Sequence, residues 1–166
     1  VAGEVTPLSD IDIINTELIL ADLSTAQKWR QSQEKRIKTN DKEELAKFEF
    51  FKKCEAHLAK GHPVRSFNWT EEDTKLLTLY PLLTSKKVIY VCNVDESDAA
   101  TGNDKSNQVA DLAKSNGDES VVISAKIEEE VSGLDKADQS DYLDALGLKS
   151  SGLDRLAKKG FALLGL

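Results

Sequence analysis

Hydrophobic and polar positions alternate with two different periods along this chain. In residues 10–23 the period is helical: Ile11, Ile14, Leu18 and Ala21 share one face, and Ile13 and Leu20 widen it. Ser9 or Asp10 suits the cap, with Asp12 in the first turn. Residues 1–8, containing Gly3 and Pro7, read as loop. Past Leu23 the pattern thins while charge rises through Lys28, Arg30, Glu34, Lys35, Arg36 and Lys38. Asn40-Asp41 marks a break. A second helix is expected over residues 41–60, its apolar stripe being Leu45, Phe48, Phe51 and Leu58, closed by Gly61 and Pro63. Two long polar helices joined near residues 39–41 predict an antiparallel helical hairpin.

The second half changes period. Thr70-Glu71-Glu72-Asp73 resembles a capping box and opens a short helix through Leu76, Leu77 and Tyr80, ended by Pro81. Val88-Ile89-Tyr90-Val91-Cys92 is then a continuous apolar run, of the length and β-branched content of a strand buried on both faces. A polar loop follows with Gly102, then an amphipathic helix over residues 104–115 with Val109, Leu112 and Ala113 inward, ended by Asn116-Gly117. Ser120-Val121-Val122-Ile123-Ser124 reads as a second buried strand running into Ala125-Lys126. Strand, helix, strand at this spacing predicts a parallel βαβ crossover. Two further helices are expected over residues 136–146 and 151–164, with Ser151 and Asp154 as a capping pair.

Composition narrows the picture. With 166 residues, 40% hydrophobic and 31% charged, the chain suits one domain, or a smaller core with an appendage. No apolar run approaches the ~20 residues needed to cross a bilayer, and no signal-peptide pattern opens the chain. Cys54 and Cys92 lie far apart, as befits reduced thiols in a cytoplasmic protein. His57 and His62 lack the spacing of a metal site, and no metal-ligand cluster is read. The net charge of -7 is uneven: residues 22–60 hold ten Lys/Arg against seven Asp/Glu, the remainder twelve against twenty-two. An acidic body argues against general nucleic-acid binding, DNA included. The basic segment admits either a local polyanion contact or a solvated helix pair of mixed charge. The chain has no methionine and begins with Val1, which points to a fragment.

The chemistry lies where the two strands end. In a βαβ unit both carboxyl ends open onto one edge, where ligands of α/β sheets bind. Here that edge carries Asn93-Val94-Asp95-Glu96 and Ser124-Ala125-Lys126. Loops of the forms N-x-x-[D/E] and S-A-K hold the base in GTPase-type P-loop domains. The Asn fastens the loops together, the acid accepts from ring donors, and the S-A-K backbone meets the exocyclic edge. The guanine-reading form is N-K-x-D; here Val94 stands for the Lys and Glu96 for the Asp. One extra methylene displaces the two-oxygen clamp on guanine N1 and N2, and adenine has no N2 amine. A weakened guanine preference follows, with tolerance of, or preference for, adenine. Val94 would cover one face of the base, and Asp95 would face solvent.

Three stretches together resemble the YchF / Obg-like ATPase family of translation-factor-related P-loop NTPases. They are the Asn93-Val94-Asp95-Glu96 loop, the helix Ile14-Asn15-Thr16-Glu17-Leu18-Ile19-Leu20-Ala21-Asp22-Leu23, and Leu146-Gly147-Leu148-Lys149-Ser150-Ser151-Gly152-Leu153-Asp154-Arg155-Leu156. The resemblance covers nearly the whole chain. It implies an α/β fold, the C-terminal half of a P-loop NTPase G domain with an inserted antiparallel α-helical hairpin: residues 1–16 as G-domain segment, 17–80 as the insertion, and 81–166 as G-domain segment with the base-recognition loops. It implies base contacts from Asn93, Val94 and Glu96, faced by Ser124, Ala125 and Lys126, with ATP favoured, GTP weaker, and a ribosomal partner in the cytoplasm. No G-x-x-x-x-G-K-[ST] occurs in the chain. The resemblance places that phosphate machinery, and with it Mg²⁺ and the catalytic residues, upstream of Val1, and a TGS domain beyond Leu166. This polypeptide alone is therefore expected not to hydrolyse ATP, whereas the full-length protein is. The rival reading is a non-catalytic helical module that docks on a protein or ribosomal partner.

Overall fold

In the computed structural model, which describes residues 6–166, the chain divides into two compact units. One is Ser9–Lys87; the other is Val88–Leu166 with residues 6–8.

The first unit is helical. Helices α1 (Pro7–Glu34), α2 (Lys42–Ala59) and α3 (Glu71–Leu79) are linked by 3-10 turns at Ile37–Thr39 and Val64–Ser66, and a third such turn, Leu83–Ser85, follows α3. Helix α1 is much longer than the periodicity of residues 10–23 predicts. It begins at Pro7, whose missing N–H and fixed φ suit a first turn. The loop read for residues 1–5 lies outside the described residues, while Pro7 and Leu8 are helical.

The buried face of α1 also differs from expectation. Ile14 is 55% exposed, and Ile13, Leu18, Leu20 and Ala21 are exposed too, whereas the inward line is Ile19, Asp22, Ala26 and Gln33, with Leu23 and Trp29 packed beside it. The misreading has a physical cause. Asp22 counts as polar in any periodicity, yet it is only 2% exposed. Its carboxylate accepts from the Leu83 amide (3.0 Å) and the Thr84 amide (2.7 Å). Thr84 Oγ1 in turn accepts from the Val64 amide at 3.0 Å, and Trp69 Nε1 donates to the Val64 carbonyl at 2.8 Å.

Helix α2, capped by Asp41, buries Phe50, Phe51, Cys54 and Leu58. Leu45, read as part of the stripe, is exposed, and Phe48 lies beneath the Lys52 ammonium at 5.4 Å. Phe51 meets Tyr80 edge-on at 5.0 Å and Trp29 at 5.5 Å, and Phe50 meets Trp69 at 5.4 Å. Towards the Ile37–Thr39 turn, Gln33 donates to the Glu44 carbonyl (2.9 Å) and Arg30 pairs with Glu55. Burial pushes the Cys54 thiol up to about 12, so it stays a neutral packing group. His57 Nε2 lies 2.8 Å from Ser66 Oγ and 3.0 Å from the Pro63 carbonyl, with its pKa lowered by desolvation.

The second unit runs β1 (Ile89–Asn93), a 3-10 turn at Glu96–Asp98, α4 (Asp104–Ser115), β2 (Glu119–Ile123), α5 (Ala125–Ser132), α6 (Lys136–Ala145) and α7 (Gly152–Leu164). The strands pair in parallel, from Ile89 opposite Glu119 to Asn93 opposite Ile123. Helix α4, opened by a capping box of Asn103 and Ser106, makes the crossover. Burial on both faces is not observed for β1. Val91 is 48% exposed: α4 packs against β1, whereas α7 packs against β2 and leaves the other face of β1 open. Helix α5, which starts one residue after β2, escaped the sequence reading. Its core contacts Ile127 and Val131 join Ala99, Leu143 and Leu148 in a small cluster.

Replacing Asp22 by Ala leaves two backbone amides of the Leu83–Ser85 turn without an acceptor. Each unsatisfied buried amide costs about 1–3 kcal/mol, so Asp22→Ala should lower the urea midpoint sharply, and Asp22→Asn, which keeps one acceptor, should lower it less. Equal midpoints for wild type and Asp22→Ala would contradict this role.

Candidate nucleotide-base site

The parallel register sets Asn93 beside Ile123, so the segments that follow emerge at the same edge. Asn93 closes that edge: its Oδ1 accepts from the Ala125 amide at 2.9 Å. Beneath it, the Val94 amide donates to the Ile123 carbonyl at 2.9 Å, extending the ladder by one rung. Across the opening, Lys126 Nζ lies 2.8 Å from Glu96 Oε1. Side chains from both sequence-predicted loops therefore meet twice, once through an amide and once through an ion pair.

The six predicted residues do not stand alike. Asn93, Ala125 and Lys126 are exposed and Glu96 is half-buried, so their polar groups border the opening. Val94 is only 8% exposed, which leaves a thin edge of its side chain to meet anything at the surface. Ser124 is buried as the cap of α5, its hydroxyl accepting from the Ile127 amide at 3.4 Å. Its part is to fix where α5 begins. Asp95 is exposed.

Three supports were invisible in the sequence. The Tyr142 hydroxyl donates to Glu130 Oε2, and this bond to a carboxylate raises the phenol to about 12. Lys126, one helical turn before Glu130, has its own pKa raised, first by its hydrogen bond to Glu96 and then by Coulombic attraction to Glu96 and Glu130. Lys126, Glu129, Glu130, Gly133, Leu134 and Tyr142 line an open concavity beside the ion pair. Helix α7 then holds β2 from behind. Glu128 accepts from the Gly152 amide (2.5 Å) and the Leu153 amide (3.4 Å), and Arg155 donates to the Val122 and Ser150 carbonyls (both 2.8 Å). The partners from α6 and α7 depend on tertiary packing, which no local pattern shows.

No family model matches the chain. Curated relatives match it along its full length. The Bacillus subtilis protein named ribosome-binding ATPase YchF is 39% identical over 100% of the chain, and the Haemophilus influenzae and Escherichia coli O157:H7 proteins of that name are 36% and 32% identical. The chain spans about half the length of these relatives, 46% of each. Among solved structures, the Schizosaccharomyces pombe YchF GTPase superposes with a TM-score of 0.86 at 26% identity, over 99% of this chain and 46% of that one. The class so defined is the α/β fold of the P-loop NTPases. Within that class, the chain is similar along its full length to the proteins named YchF.

A methyl group at Gly152 would strike the Ile123 side chain, lying 2.8 Å from its Cβ, and would press on the Glu128 carboxylate. Gly152→Ala should therefore destabilise the second unit by about 1–3 kcal/mol through overpacking at the end of β2. Thermal unfolding followed by circular dichroism reads this, and an unshifted midpoint would show that α7 yields freely.

Proposed function

We propose that the chain is the base-reading part of a P-loop NTPase that prefers ATP to GTP and works at the ribosome. One observation carries the reading: the N-x-x-E and S-A-K segments share an edge, clasped by the Asn93–Ala125 bond, with Glu96 at the opening. Such an edge suits a flat purine, whose ring donors find a carboxylate and whose perimeter finds the free amide donors of Asn93. Glu96 favours adenine because its extra methylene spoils the two-oxygen fork that guanine requires. The names of the relatives, ribosome-binding ATPase and GTPase, support nucleotide hydrolysis by the full-length protein. The Lys of G-x-x-x-x-G-K-[ST] and its companions would supply phosphate and Mg²⁺ binding from outside these residues. The 166-residue chain alone is accordingly proposed to be inactive in hydrolysis.

We read residues 17–80, within the Ser9–Lys87 unit, as a coiled-coil-like hairpin inserted in the G domain. Its basic residues support an RNA-facing role in the cytoplasm. Lys28, Lys35 and Lys38 line one concavity with Gln31, Ser32 and Glu34. Arg30 does not belong to that set, since Glu34 and Glu55 engage it.

Two measurements test the proposal. In the full-length protein ATP should bind more tightly than GTP, and Glu96→Asp should narrow the gap by about tenfold, the scale of one well-placed polar contact. Negligible binding of both nucleotides would favour a purely structural interaction module. Reversing Lys28, Lys35 and Lys38 to Glu should weaken co-sedimentation with ribosomes most at low salt. Unchanged co-sedimentation would remove the polyanion role.

A further inference from the structure

The length of Glu96 is not the whole of the proposed discrimination. Each oxygen of that carboxylate has a distinct situation. Oε1 is held by the Lys126 ammonium at 2.8 Å. A second donor approaching Oε1 would meet the ammonium hydrogens and their positive charge. Guanine presents two adjacent donors, N1–H and an N2 amine hydrogen, and needs both carboxylate oxygens at once. Adenine presents a single donor group on the same edge, its N6 amine, and one oxygen suffices.

The backbone across the opening points the same way. The Ala125 amide, with its one hydrogen, already donates to Asn93 Oδ1 at 2.9 Å, so it is not open to a base acceptor such as guanine O6. A guanine base would find its acceptor poorly served and its pair of donors facing a half-occupied carboxylate. Adenine needs neither service.

What keeps Lys126 on Glu96 is the state of its other acidic neighbour. Glu130 stands one turn further along α5, close enough to attract the same ammonium, but Tyr142 donates its hydroxyl to Glu130. The α6 phenol thus engages one oxygen of the competing carboxylate. Lys126 is 67% exposed, and its pairing is a surface contact that can be altered without disturbing the core.

We propose that Lys126 is a specificity-determining residue: by donating to one oxygen of Glu96, while the Tyr142–Glu130 hydrogen bond engages the competing carboxylate, it weakens that oxygen as an acceptor for a second donor and selects adenine over guanine. The proposal rests on the base-reading assigned to Glu96 above.

The test is equilibrium binding of ATP and GTP to the full-length protein, read as the ratio of the two dissociation constants. Lys126→Met should shift the ratio towards GTP by about threefold to tenfold, the scale of an exposed hydrogen bond to a charged group. Lys126→Arg should restore the wild-type ratio. Tyr142→Phe, which frees Glu130 to draw Lys126 away, should shift the ratio in the same direction by less. A role for Lys126 in stability alone would move neither ratio. If Glu96→Ala removes the preference while Lys126→Met leaves the ratio unchanged, the role of Lys126 is overturned and the base-reading survives. If Glu96→Ala also leaves the ratio unchanged, both fall together.

Discussion

The parallel pairing of β1 with β2 is the constraint on which the candidate site depends. Parallel neighbours must send their carboxyl ends to one edge, so N-x-x-E and S-A-K become neighbours through topology although 32 residues separate Asn93 from Ala125. A two-stranded ladder is weak by itself. It is reinforced from α7, where Arg155 donates to the Val122 carbonyl and Lys159 to the Ser120 carbonyl, and from α5, where Glu128 caps the first amides of α7. These bonds attach to β2 and to the helix that follows it, the parts that position Ser124, Ala125 and Lys126. The rigid side of the site is thus the S-A-K side, and Asn93 ties the other loop to it.

The helical unit solves a different problem with similar means. Its core is aromatic, built on Trp29, Phe50, Phe51, Trp69 and Tyr80, and such rings leave the connecting turns with backbone amides to satisfy. Asp22 satisfies two of them from within α1, across 61 and 62 residues of sequence. A buried carboxylate is tolerated there because main-chain donors take the place of water. It serves as a strut between a helix and a turn, which an apolar side chain of the same size could not provide.

These two arrangements explain which parts of the protein were legible in its sequence. The limits of α4 are legible, since its amphipathic pattern and closing Asn116-Gly117 both act locally. The strands were located within a residue by their β-branched runs. The inward face of α1 was misread because hydrophobicity cannot show that Asp22 finds amides from residues 83 and 84. Helix α5 was missed because Ala125-Lys126 was weighed as a loop motif, while Ser124, the residue that makes it a loop end, is also the cap that starts the helix. The juxtaposition of Asn93 with Ala125 followed from topology, but the Lys126–Glu96 pair and the Tyr142–Glu130 bond needed side-chain packing to appear.

Charge places a further condition on any nucleotide bound at this edge. From Val88 to Leu166 the chain has fifteen Asp/Glu and eight Lys/Arg, so its field repels polyphosphate at distances within the roughly 8 Å Debye length of physiological salt. A purine is the uncharged end of a nucleotide and does not feel that repulsion, so an acidic unit can read a base while being a poor place for phosphates. Glu96 would be an unfavourable neighbour even so if it stood unpaired on the same side as Glu130. Pairing it with Lys126 removes one negative charge from the opening and leaves one oxygen directed by geometry instead of a diffuse anionic patch. The ion pair is exposed and contributes little to folding, so the part proposed for it is electrostatic and not structural.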